Sequence, residues 1–130
     1  MFIDANIFIA SLGRDERARR CQAYLKRVDS GEQNATTSVL VLDEVLHHLA
    51  EKYGGHAPSE AAVRHLLEIG HLSILAVNER NLRDALVFFA SGLEPHDSLH
   101  LAVMKEHGIS AILSFDKDFD KLKSVKRMEP

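Results

Sequence analysis

The sequence predicts an α/β fold: a three-layer α/β/α arrangement around a central, mostly parallel sheet. Three observations carry this. Short apolar runs alternate with amphipathic helical patterns from one end of the chain to the other. Capping residues and glycines punctuate those patterns where helices should start and stop. No internal repeat, low-complexity tract or long linker divides the 130 residues, so a single domain over 1–130 is expected.

The elements follow in order. Phe2 to Ile9 is apolar except at Asp4 and Asn6, and reads as a buried, central strand. Alternation would then put Phe2, Asp4, Asn6 and Phe8 on one face. Asp15 to Val28 carries Ala18, Cys21, Leu25 and Val28 on one helical stripe, with Gly31 beyond its end. Asn34 to Thr37 is a short strand, after which Ser38 caps a helix to about Tyr53, closed by Gly54-Gly55. His56-Ala57-Pro58 reads as loop, and Ser59 as the cap of a shorter helix ending at Gly70. Leu72 to Val77 is a strand. Asn78 caps a helix with Leu82, Ala85, Leu86 and Phe89 in register, followed by Gly92. Pro95 suits the first turn of a helix that runs to His107 and stops at Gly108. Ile109 to Phe115 is a strand, Lys117 to Leu122 a short helix or turn, and Val125 to Met128 a last strand.

Composition narrows the function classes. With 45% hydrophobic and 27% charged residues the chain has the make-up of an ordinary globular protein. Its one cysteine, Cys21, excludes an intrachain disulfide and lies on a helical stripe as a buried thiol. No apolar run is long enough to span a membrane, and Met1-Phe2-Ile3-Asp4 leaves no room for a signal peptide, so a cytoplasmic location is expected. A net charge of −3 does not mark a nucleic-acid binder. Its distribution says more. Basic residues gather at Arg14 to Arg27 and again at Lys117 to Arg127, apart from several acids.

Those acids carry the chemistry. In open parallel sheets the binding crevice lies beyond the carboxyl ends of strands, where strand order reverses. Asp4 interrupts the most apolar run in the chain, where an ionised carboxylate is costly unless paired or metal-bound. Asp116 follows the Ile112-Leu113-Ser114 strand, although Ser-Phe-Asp-Lys-Asp is also ordinary turn chemistry. Asp97 lies in the first turn of a helix that is apolar around much of its circumference; as a helix cap it would have a purely structural explanation. Glu44 falls away from the expected core stripe Val39, Leu42, Leu46 and Leu49, near Leu40, Val41 and His48, and spacing does not separate it from Asp43. Several acids at sheet ends, without a cysteine cluster, form the ligand set of a hard cation such as Mg²⁺ or Mn²⁺ serving a phosphate substrate.

Taken together, the motifs resemble a known family. Phe2-Ile3-Asp4-Ala5-Asn6 resembles the opening strand of PIN domains, and Val41-Leu42-Asp43-Glu44-Val45 their helix-borne glutamate motif. Asp97-Ser98-Leu99-His100-Leu101-Ala102 resembles the third acid with its buried helix, and Ser114-Phe115-Asp116-Lys117-Asp118-Phe119 the closing loop. The resemblance covers essentially the whole chain in the family's order. It implies a five-stranded parallel sheet, with Asp4, Glu44, Asp97 and Asp116 as metal and catalytic acids. Asn6 and Ser114 would orient them, and Asp118 would share or replace the role of Asp116. It further implies a Mg²⁺- or Mn²⁺-dependent endoribonuclease that cleaves single-stranded RNA with a metal-activated water, leaving 5′-phosphate and 3′-hydroxyl ends. Homodimers are frequent in the family, small members are often toxins paired with an antitoxin, and Gly54 to Gly70 is the segment expected to vary as a partner-binding flap.

Other readings are weaker. His96 and His100 are four apart, as zinc ligands on one helix are, but no HExxH glutamate or third ligand accompanies them. There is no phosphate-cradling glycine loop and no nucleophile elbow. A receiver-like signalling domain would need paired acids and a late lysine in another arrangement. The main rival is a catalytically inactive PIN-like module that binds RNA or protein, and the presence of all four acids weighs against it.

Overall fold

The computed structural model describes residues 1–54 and 56–130. Its strands are β1 (Phe2–Ile3), β2 (Ala35–Ser38), β3 (Leu72–Leu75), β4 (Ala111–Leu113) and β5 (Lys126–Met128). They form one five-stranded sheet in the order β3-β2-β1-β4-β5. Every pairing is parallel, with Phe2 opposite both Thr36 and Ile112. The helices are α1 (Ala5–Ser11), α2 (Glu16–Asp29), α3 (Val39–Tyr53), α4 (His56–Leu67), α5 (Glu79–Ala90) and α6 (Pro95–Glu106). A 3-10 turn covers Lys117–Lys121. The α/β class and the parallel sheet are as the sequence predicts.

The chain steps from β1 outward to β2 and β3, then returns to the other side of β1 for β4 and β5. Right-handed crossovers therefore put α1 to α4 on one face of the sheet and α5 with α6 on the other. The packing agrees: α1 meets α2 and α3, α3 meets α4, and α5 meets α6. Covered on both sides, the central strands are fully apolar: Phe2, Ile3, Ile112 and Leu113 are at most 1% exposed. Burying each such side chain stabilises the fold by roughly 1.5–3 kcal/mol. The order reverses between β1 and β4, so the crevice beyond their carboxyl ends is the expected place for a site.

Local chemistry explains the helix ends. Asp15 caps α2 by accepting from the Ala18 amide at 2.8 Å, and Ser38 caps α3 through the Val41 amide at 3.3 Å. Asn78 and Asn81 form a reciprocal capping box on α5. Gly54 ends α3 in a left-handed conformation, φ 60°, where a side chain would be strained. The second glycine of that expected stop, Gly55, lies outside the described residues.

Four expectations need correction. The run Phe2 to Ile9 is not one strand: β1 ends at Ile3, Asp4 is an N-cap, and α1 begins at Ala5. A short apolar run fits a buried helix as well as a buried strand, and the capping aspartate decides between them. His56-Ala57-Pro58 is not loop but the first turn of α4, where the missing proline N–H costs nothing. On α3 the buried stripe is Val41, Leu42, Val45 and Leu49, whereas Val39 and Leu46 are exposed. On α5 the stripe Leu82, Leu86 and Phe89 is more than half exposed, and the helix packs on α6 through Asn81, Ala85 and Phe88. Asn81 donates to Glu106 of α6 at 2.6 Å, which fixes that phase.

No helix among the described residues is long and apolar enough to cross a membrane.

Candidate active site

Asp4 leaves the end of β1 and is 6% exposed. Its Oδ1 accepts the Ala5 amide at 2.7 Å, and its Oδ2 accepts Asn6 Nδ2 and Ser114 Oγ, each at 2.6 Å. Burial pushes the Asp4 carboxyl up; the Ser114 hydrogen bond, His100 and the Ala5 amide oppose this, and Glu44 adds to it. Ser114, just past β4 and fully buried, is the hub of the crevice. Its hydroxyl also accepts Asn6 Nδ2 and the Asp116 amide, both at 2.9 Å. Asn6 in turn accepts the Phe115 amide at 3.2 Å. Three side chains thus lock the loop after β4 against the end of β1.

Asp116 begins the 3-10 turn and accepts the Asp118 amide on Oδ1 at 2.8 Å. The Asp118 carboxylate turns to Lys121, 2.6 Å away, so Asp118 touches Asp116 through its backbone alone. Arg127 of β5 holds the turn from below, gripping Asp120 with two nitrogens and donating to the Ser114 carbonyl at 2.9 Å.

Asp97 sits in the first turn of α6, whose N-cap Glu94 makes no side-chain cap. Its carboxyl is pushed up to about 6, chiefly by burial, then by Asp4, Asp116 and Glu44, with His100 opposing. That set of neighbours is itself a spatial result: it brings residues from β1, α3, α6 and the loop after β4 within electrostatic reach of one point. Glu44 is half-buried on α3. Its Oε1 lies 2.9 Å from His100 Nε2 and 3.6 Å from His96 Nδ1. The Glu44 Oε1 and His100 Nε2 atoms are in close polar contact, and His100 Nδ1 is buried without a hydrogen-bond partner. Asp43 instead lines a separate cavity of about 500 Å³ between α3 and α4.

His100 is the residue that sequence reasoning weighed only as a zinc ligand with His96, missing its place beside the acids. It is 1% exposed, lies against the Phe2 ring at 5.8 Å between centroids, and faces Glu44. The available signal was its spacing: three residues after Asp97 on a helix whose middle is largely buried, a polar side chain shares the acid's face. His96, one turn earlier, is largely exposed.

The donor set is oxygen-rich and mutually repelling, which suits a hard divalent cation. Among the described residues, no three His, Cys, Asp or Glu side chains are already gathered closely enough to form a ready ion site.

The fold and the acids near the β1/β4 switch point define a class: an open α/β protein with an acidic crevice at the carboxyl ends of its strands. The chain belongs to the PIN domain family, which it matches over residues 1–125. Ribonuclease VapC13 of Mycobacterium tuberculosis and VapC ribonuclease Mb1869c of Mycobacterium bovis are each 28% identical to it, over 98% of both chains. Among solved structures, Mycobacterium tuberculosis VapC20, described as a Sarcin-Ricin loop cleaving toxin, superposes with a TM-score of 0.77 at 23% identity. That match covers 99% of this chain and 98% of the other. VapBC2 from Rickettsia felis, solved bound to a promoter DNA fragment, gives 0.72 at 13% identity over 98% and 96%.

Proposed function

We propose that residues 1–130 form a single nuclease domain, a metal-dependent endoribonuclease that acts on single-stranded RNA in the cytoplasm as the toxin of a toxin–antitoxin pair. The carrying observation is the placing of Asp97 within electrostatic reach of three further acids, its carboxyl raised to about 6 by burial first and by those acids after it. Perturbed carboxyls in a crevice at a strand-order switch mark functional sites. The relatives named VapC ribonucleases support the same activity, and the toxin–antitoxin complexes among the structural neighbours support an antitoxin partner.

Asp4, Glu44, Asp97 and Asp116 hold the cation, Mg²⁺ or Mn²⁺. Bound there, the ion supplies positive charge for the scissile phosphate and acidifies an attacking water. The protein's own groups do the rest. Ser114, Asn6 and the Ala5 amide orient the Asp4 carboxylate, and Ser114 and the Ala5 amide oppose the upward push of its burial. The Asp118 amide and Arg127 fix the Asp116 loop. His100 steadies Glu44 from the interior side. The apolar face of α5, with Val87 71% and Leu86 59% exposed, suits a homodimer contact.

The test is cleavage of a single-stranded RNA by the purified chain with Mg²⁺ or Mn²⁺, against the same reaction in EDTA. Chelator-sensitive cleavage is expected. Chelator-insensitive cleavage would remove the metal, and no cleavage with either ion would leave a binding module.

A further inference from the structure

A second feature adjoins the acids. A groove of about 460 Å³ runs between α1, the start of α2 and the second half of α3, lined by Asn6, Arg17, His48, Lys52 and Tyr53 among others. One end is Asn6, which donates to Asp4 at 2.6 Å and accepts the Phe115 amide. The Arg17 guanidinium lies 3.5 Å from the centre of the Phe115 ring, one residue before Asp116. Further along, the Lys52 ammonium sits 5.5 Å from the ring of Tyr53, which is 56% exposed. Arg19, Arg64, Arg83 and Arg127 are committed to carboxylates, whereas Arg17 and Lys52 lie over aromatic rings. The groove's own acid, Asp15, is occupied as the α2 cap.

Two cations and an open aromatic face along a groove that starts at the acidic crevice are the parts that single-stranded nucleic acid requires. The cations follow the phosphates, and the ring stacks on a base whatever its identity. We propose that this groove is the track of the RNA strand, with Arg17 and Lys52 holding phosphates, Tyr53 stacking on a base, and Asn6 marking where the strand enters the acidic crevice. The assignment rests on the ribonuclease reading and adds the residues that hold the substrate. Arg17 has a double setting: its packing on Phe115 places a positive charge beside the loop that carries Asp116, so phosphate binding and loop position are coupled there.

The experiment measures binding without chemistry. A labelled 12-nucleotide single-stranded RNA is titrated with the full chain in EDTA by fluorescence anisotropy at several KCl concentrations. Arg17→Gln and Lys52→Gln should each weaken binding and make the slope of log K against log salt less negative by about 0.7. Tyr53→Leu should weaken binding about tenfold while leaving that slope unchanged. Arg83→Gln, away from the groove on α5, is the control and should bind as wild type. In Mn²⁺ the loss of kcat/KM in the groove variants should fall mainly on KM. All three substituted side chains are exposed, and matching melting curves certify folding; if Tyr53→Leu melts early, the two cation variants carry the test. A wild type that cleaves RNA while Arg17→Gln and Lys52→Gln bind with unchanged affinity and slope overturns the groove and leaves the ribonuclease standing. Unchanged RNA binding with weakened capture of a co-expressed antitoxin assigns the groove to a protein partner and also overturns it. A wild type that neither binds nor cleaves RNA removes both readings.

Discussion

Asp97→Asn should make the cation-free protein more stable at pH 7, not less. The carboxyl of Asp97 stands at about 6 in the fold against 3.8 in the open chain, because burial and three neighbouring acids oppose its charge. At 1.36 kcal/mol for each tenfold change in proton affinity, holding it ionised at pH 7 costs at most about 3 kcal/mol. Asp97 keeps partial access to water, and screening trims that to about 1–2 kcal/mol. Its raised folded value means the native state binds the proton more tightly than the unfolded chain. The cost is therefore absent below pH ~4, grows between ~4 and ~6, and is complete above. The amide carries no charge and escapes it. Melting curves in EDTA at pH 4, 5, 6 and 7.5 should show the variant ahead by roughly 3–8 °C at the highest pH, with the gain vanishing at the lowest. A variant less stable than wild type at pH 7.5 would refute the reasoning and return Asp97 to a structural role at the start of α6.

Further outcomes follow from the same geometry. Glu44→Gln should reduce cleavage at least tenfold, whereas Asp43→Asn, on the α3–α4 cavity, should stay within about threefold in a steady-state RNA assay. Ser114→Ala removes a hydrogen bond from a buried carboxylate and should cost about 1–3 kcal/mol in denaturant melts at neutral pH, with a parallel loss of activity. Millimolar Mn²⁺ should raise the melting temperature of the wild type but not of Asp97→Asn, since only the folded acid set binds the ion. Because the proton on Asp97 competes with the ion, that rise should shrink as pH falls through about 6 and disappear near 4.

Helix ends with their own chemistry were legible in the sequence. Asp15, Ser38, Asn78 and Pro95 each start the helix expected of them, and Cys21 lies in the α2 core stripe. What misled was composition without phase. Phe2 to Ile9 is apolar enough for strand or helix, and the start of α3 is apolar all round, so its buried stripe keeps Leu42 and Leu49 but takes Val41 and Val45 in place of Val39 and Leu46. On α5, hydrophobic spacing pointed to Leu82, Ala85, Leu86 and Phe89; Ala85 is buried as expected, but the other three are exposed and the polar bond from Asn81 to Glu106 helps set the buried side. The candidate acids could be suggested by the crevice rule because Asp4 directly follows β1 and Asp116 lies in the loop after β4. Choosing Glu44 over Asp43 on residue pattern alone was out of reach, since it depends on which side of α3 meets α6. His100 was hidden for the same reason: its role comes from Phe2 and Glu44, far away in the chain.

The central claim is that these four carboxylates together hold a divalent cation, and Mn²⁺ binding read by electron paramagnetic resonance tests it most directly. Titrated at pH 7.5, the wild-type chain should remove free Mn²⁺ signal with saturable stoichiometry, and Asp4→Asn, Glu44→Gln and Asp97→Asn should each weaken that binding at least tenfold while remaining folded. Mn²⁺ bound equally well by wild type and all three variants, or by none of them, would contradict the account.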